Sequence, residues 1–127
     1  MYRVAHPHIF ISDTVKKARD EAQESAEWLI DDFAGTFELP EGEEYPEKFA
    51  GRKTIGQYIR SLTFDKIVEG DLMWIGDVDY IVDRVRWLRD ECGVTYIISN
   101  MSPGGMEHEK VAKSMELLAT KVMPQFQ

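Results

Sequence analysis

The chain has a single cysteine, Cys92, so it can form no internal disulfide, which fits a reducing compartment. No apolar run approaches the roughly 18–20 residues of a membrane span, and the N-terminus lacks the basic-then-apolar layout of a secretory signal. The expectation from these absences is a cytoplasmic protein. Basic residues are also scarce: 15 Lys and Arg stand against 23 Asp and Glu, a formal charge of -8. Such a chain repels polyphosphate and anionic lipid, which argues against nucleic acid and against a membrane surface as partners. What is present suits a folded protein. Of 127 residues, 43% are hydrophobic and 30% charged, enough for one domain over 1–127 with one modest core.

The pattern along the chain alternates strands with helices. Ile9, Phe10 and Ile11 are apolar on consecutive positions within His8–Ser12, the mark of a parallel strand covered on both faces. Asp13 or Thr14 then caps a helix carrying Val15, Ala18, Ala22, Ala26, Leu29, Ile30 and Phe33 on one stripe, and Gly35 stops it. An acidic insertion at about 36–52 follows, with Pro40, Gly42, Pro46 and the glutamates 38, 41, 43, 44 and 47; it reads as a solvated surface loop. Thr54–Leu62 reads as a short helix with Ile55, Tyr58, Ile59 and Leu62 on one side. Two further strands are predicted at Leu72–Ile75 and Val94–Ile98. Asp77 caps the helix between them, which runs to about Glu91 and stops at Gly93. A last helix shows Val111, Met115, Leu118 and Val122 on one face and closes at Pro124. Repeated strand–helix units predict an α/β fold with parallel strands joined by right-handed crossovers.

The stretch from Gly76 to Phe126 carries the most specific pattern. A short strand ends in Gly76-Asp77, a helix ends in Glu91-Cys92-Gly93-Val94, and a strand ends in Ser99-Asn100-Met101. The chain finishes with Gly104-Gly105-Met106-Glu107-His108-Glu109, Ser114-Met115-Glu116-Leu117-Leu118 and Val122-Met123-Pro124. Together these resemble the C-terminal end of the bacterial-luciferase-like flavin-dependent monooxygenases. His8 to Ala22 looks like the preceding strand–helix unit of that family. The family often has Pro in the cap region of the first helix and a Pro-His pair before the last, where this chain has Val78 and Glu107-His108.

The resemblance implies a partial TIM-type (β/α) barrel of about three parallel strands. Such a family binds reduced FMN, or in some relatives a deazaflavin, reacts it with O2 and inserts one oxygen atom into a small organic substrate. A flavin reductase would supply the reduced cofactor. A barrel of eight strands takes about 250 residues, and three strands cannot close it. If roughly five inward side chains stayed wet, at about 1.5–3 kcal/mol each, the loss would match a small domain's whole stability. The expectation is therefore a homo-oligomer or a complex with a complementary barrel fragment. A non-catalytic assembly module is the alternative from a different class. A flavodoxin-like binder is a third, weakened by the lack of a phosphate loop and of five strands.

Chemistry in such a barrel sits at the carboxyl ends of the strands. That nominates Ser12 and Asp13, then Trp74 and Gly76, then Ser99, Asn100 and Met101, as cofactor-binding or substrate-pocket residues. Asn100 can donate and accept at a flavin edge or substrate carbonyl, and Trp74 can wall an apolar pocket. Each has a plainer reading as strand-end packing or capping. No catalytic acid or base is assigned. Gly104-Gly105 before a helix can cradle a phosphate or simply turn the chain, and Glu107 and Glu109 oppose the first use. His6, His8 and His108 lack a zinc-like spacing, so no metal is assigned. Cys92 reads as a half-buried structural thiol, and Trp87 and Met115 read as core.

Overall fold

The computed structural model describes residues 1–126. It is a mixed α/β fold with five helices and two short parallel sheets. The strands are β1 (Val4–Ala5), β2 (Ile9–Ile11), β3 (Trp74–Gly76) and β4 (Tyr96–Ile97). The helices are α1 (Val15–Gly35), α2 (Gly51–Arg60), α3 (Phe64–Glu69), α4 (Val78–Asp90) and α5 (His108–Leu117). A π turn, Leu118–Val122, and a 3-10 turn, Met123–Phe126, extend α5.

β1 and β2 are two halves of one central track, interrupted at His6-Pro7. Val4 and Ala5 pair in parallel with Tyr96 and Ile97, while Ile9, Phe10 and Ile11 pair in parallel with Trp74, Ile75 and Gly76. Pro7 has no N–H to give, but its carbonyl accepts from Asn100, and Ile9 donates to the Asn100 carbonyl. His8 bridges Asn100 across this break. Odd residues of the track bond toward β4 and even residues toward β3, so those two strands lie on opposite sides of it. No closed barrel is present among the described residues.

Side-chain alternation then builds two cores. Phe10 and Ile75 face Ala18, Ala22 and Ala26 of α1 and Phe64, Ile67 and Val68 of α3. Ile9, Ile11 and Trp74 face Ile81, Val82 and Leu88 of α4, together with Met101 and Val122. The alanines bring α1 close to the sheet because they carry no bulk beyond Cβ. Thr14 is the cap of α1, its hydroxyl accepting the Lys17 N–H at 3.1 Å, and Asp77 caps α4 by accepting from Tyr80 at 3.0 Å.

The structure adds β1, and it adds α3, which is capped by Thr63 and lies between the helix and strand read from the sequence. It starts α2 at Gly51, three residues before the expected Thr54. Several stripes are also narrower than their spacing implied. Ile59 and Gly56 are the buried residues of α2, leaving Ile55 and Tyr58 exposed. In α5 the buried positions are Val111, as expected, and Ser114, whereas Met115 is 53% exposed; Phe33 and Trp87 are likewise half-exposed. Periodicity located the faces, but which member of a face is sealed depends on what packs across from it.

The acidic insertion lies at the surface, exposed except at Phe37 and Tyr45, and carries some structure of its own. It holds a 3-10 turn at Glu47–Phe49, the Tyr45 hydroxyl donates to the Phe37 carbonyl at 3.0 Å, and the Arg52 guanidinium lies over the Phe37 and Tyr45 rings at 5.4 and 5.9 Å. Gly56 permits this, since a Cβ there would stand 2.6 Å from the Phe37 Cβ. No helix among the described residues is long and apolar enough to cross a membrane.

Candidate functional site at the strand ends

The nominated residues fall into two groups. Ser12 is buried at the end of β2, and its N–H donates to the Gly76 carbonyl at 3.1 Å, so Ser12, Asp13 and Gly76 share one level of the sheet. Asn100 pairs four positions earlier, opposite His8. Ser99, Asn100 and Met101 therefore sit well below the other strand ends.

That offset leaves the β4 side of Ile11 without a strand. Its N–H donates instead to Ser114 Oγ of α5 at 2.8 Å, in a fully buried contact. One hydroxyl thus stands in for a missing strand neighbour. An ion pair fixes the same junction. The Asp13 carboxylate accepts from Lys113 of α5 at 2.7 Å and from Lys17 of α1 at 2.6 Å. These bonds, Lys113 first and Lys17 second, hold Asp13 down to about 2. Asp13 thereby ties two helices together.

Gly76 meets the ring of Tyr80: a Cβ there would lie 2.5 Å from Tyr80 Cδ1. The Tyr80 hydroxyl donates to Asp71 Oδ1 at 2.8 Å, and Arg84 donates to Asp71 Oδ2 at 2.6 Å. Burial, then Asp71, pushes the Tyr80 phenol up to about 12. Arg84 Nε is buried without a partner among the described residues. This clamp of Asp71, Tyr80 and Arg84 was not visible from spacing, because Asp71 joins through a left-handed turn at φ 53°.

Trp74 is 6% exposed and packs with Ile9, Ile11 and Ile81 in the core. Met101 is buried in the same cluster. The Asn100 side chain accepts from the Ser102 N–H at 3.3 Å, turning the chain after β4. Ser99 lines a mainly apolar groove of about 740 Å³ between β4, α4 and the C-terminal turns, walled by Val85, Leu118, Val122 and Phe126. A second cleft of about 530 Å³ lies between the acidic insertion and α2.

The other candidates have structural explanations. Gly104 and Gly105 take φ of 95° and 68°, and a Cβ on Gly104 would stand 2.4 Å from the Trp28 ring, so Trp28 dictates that glycine. The His6 and His8 rings stack at 6.3 Å between centroids; His8 Nδ1 is buried without a partner among the described residues. His108 is exposed at the start of α5. No group of three or more His, Cys, Asp or Glu among the described residues could hold a metal ion. Cys92 is half-buried, and its carbonyl accepts from the Arg3 guanidinium at 3.1 Å.

These residues do not by themselves complete an FMN site. Where Ser12, Asp13 and Gly76 meet, Ser114 of α5 is buried against Ile11, and the half-exposed Asp13 carboxylate is already paired with Lys113 and Lys17. The apolar groove has one guanidinium, Arg89, which is already bonded to Asp90 at 2.6 and 3.1 Å. No protein-family profile matches the chain, and no curated protein matches it.

Proposed function

We propose that the chain is the C-terminal portion of a luciferase-like, flavin-dependent monooxygenase, contributing strand–helix units to a TIM-type barrel. In that assembly reduced FMN or a deazaflavin reacts with O2, and one oxygen atom passes to a small organic substrate. The resemblance of Gly76–Phe126 supplies the chemistry. The observation that carries the reading is the sheet itself: its parallel tracks have no strand on the outer side of β3 or of β4 among the described residues. Parallel sheets are ordinarily covered and extended, so unpaired sides call for further strands. The reading also makes a demand. Consecutive barrel strands are neighbours, so in a completed barrel β4 would lie beside β3, and the side of β1 that it now fills would pass to another strand.

A non-catalytic assembly module is the second reading. It is favoured by the strand-end level, where the Ile11 N–H is already taken by Ser114 and the Asp13 carboxylate by Lys113 and Lys17. Titration of oxidised and anaerobically reduced FMN into the chain, alone and with any neighbouring polypeptide, separates the two by fluorescence quenching. The monooxygenase reading expects saturable binding. No binding under either condition, beside a stable oligomer, would overturn it in favour of the module.

A further inference from the structure

β4 is under-covered in three independent ways. Tyr96, Ile98 and Asn100 donate their N–H groups inward to Arg3, Ala5 and Pro7, so by ladder alternation the N–H and C=O of Ile97 and Ser99 point outward, where no strand lies. Val4, Tyr96 and Ile98 share one face of the β1–β4 pair and are 57%, 58% and 51% exposed, whereas Ala5 and Ile97 on the opposite face pack on the core. The apolar groove then runs along the same strand, lined by Val94 through Ile97 and by Ser99.

The charge pattern indicates what can cover this edge. In a chain that is 30% charged, no residue from Cys92 to Met106 is Asp, Glu, Lys or Arg. Exposed edges are ordinarily guarded by lysine, proline or a bulge, and Val94–Ser102 holds neither lysine nor proline. Two copies, each of charge -8, would repel across most of their surfaces, yet pairing through this segment would bring no charged residue of the segment against its like.

We infer that the outer edge of β4 is a self-pairing interface, occupied by β4 of a second copy in an antiparallel, two-fold arrangement. With the axis at Ile98, Ile97 faces Ser99 of the second copy, and these residues exchange the free backbone hydrogen bonds. The two Ile98 side chains then meet, flanked by Tyr96. A two-fold contact of this kind is self-complementary and closed, so it gives a dimer and not a fibre. The inference stands apart from the flavin reading, although a complementary barrel strand would compete for the same edge.

Sedimentation equilibrium of the full chain to millimolar concentration tests it. The expected result is a reversible dimer whose dissociation constant rises at least tenfold in Ile98→Lys and in Tyr96→Lys. Both positions are exposed, and far-UV circular dichroism checks that the variants fold. In a Cys92→Ser background, Ile98→Cys should oxidise to a disulfide-linked dimer, because directly opposed residues of a non-hydrogen-bonded pair have Cα atoms about 4.5 Å apart. A chain that stays monomeric throughout, or a dimer indifferent to Ile98→Lys and unlinked by Ile98→Cys, overturns the inference. Flavin titration moves neither result, so the two readings fail separately.

Discussion

The β2–β3 and β1–β4 pairs share strand polarity and a similar vocabulary, Ile-Phe-Ile in β2 and Tyr-Ile-Ile at β4, yet they end in opposite environments. Around β2 and β3 every strand residue is buried, with Trp74 6% and Ile75 1% exposed. Around β1 and β4 one face is open to water. The difference lies in what crosses over them. α1, α3 and α4 sandwich the first half, whereas on the second only the α4 side is filled. Burial is therefore set by the partner element, and a local run of β-branched residues does not disclose it.

The sharpest way to break this contrast is truncation on each side. Ile75→Ala should cost about 2–5 kcal/mol, the transfer loss plus a cavity that α1 cannot collapse into. Ile98→Ala, measured at concentrations where the chain is monomeric, should stay within about 0.5 kcal/mol. Equal costs in urea unfolding would mean the open face is covered within the monomer.

Next comes the hydroxyl that replaces a strand. Ser114→Ala leaves the buried Ile11 N–H unpaired and should lower stability by about 1–3 kcal/mol, with faster hydrogen exchange at Ile11. An unchanged exchange rate there would show that the bond contributes nothing to the dry half.

Gly76→Ala probes the same half from its end, since the new methyl must move the Tyr80 ring. A cost of about 1–3 kcal/mol is expected. In a double-mutant cycle, much of it should vanish when Tyr80 is already Ala. Additive effects would place the strain elsewhere.

The smallest effect concerns the break between the halves. Burial, and secondarily the charge of His6, lowers the His8 pKa from its ordinary 6.5. The unfolded chain thus binds a proton that the folded chain resists. His8 supports the fold fully above about pH 6.5, and that support is lost as pH falls through the lowered value. His8→Asn should flatten the slope of stability against pH below 6.5. An identical slope in the variant would remove His8 from the account.

Much of the architecture was legible in the sequence because strong local signals marked it. The consecutive apolar residues Ile9–Ile11, the caps at Thr14 and Asp77, and the stop at Gly93 all correspond to observed features. α3 was not, because its six residues are too few to display a period. The nominated site residues were placed at strand ends, but their relative heights were not readable. That offset is fixed by pairing across the sheet, Asn100 to His8 and Ser12 to Gly76, and no property of either strand alone encodes it. Ser114 was hidden for a related reason, since a serine on an apolar stripe has meaning only once the unpaired Ile11 amide above it is known.

The π turn at Leu118–Val122 has a consequence for how the last helix tolerates change. At about 100° per residue, the eight positions from Ser114 to Val122 would leave Val122 about 80° out of phase with Ser114. Absorbing one residue in the wider turn brings the two back to within about 20°, and Val122 is indeed 1% exposed. Removing Thr120, which faces water, would restore regular winding and, over seven positions, still leave Val122 within about 20° of Ser114, so Val122 and Phe126 would keep their place on the Leu88 side of the core. The wide turn therefore acts as a phase corrector: it absorbs one surplus residue, and the docking of everything after Leu118 survives that residue's removal.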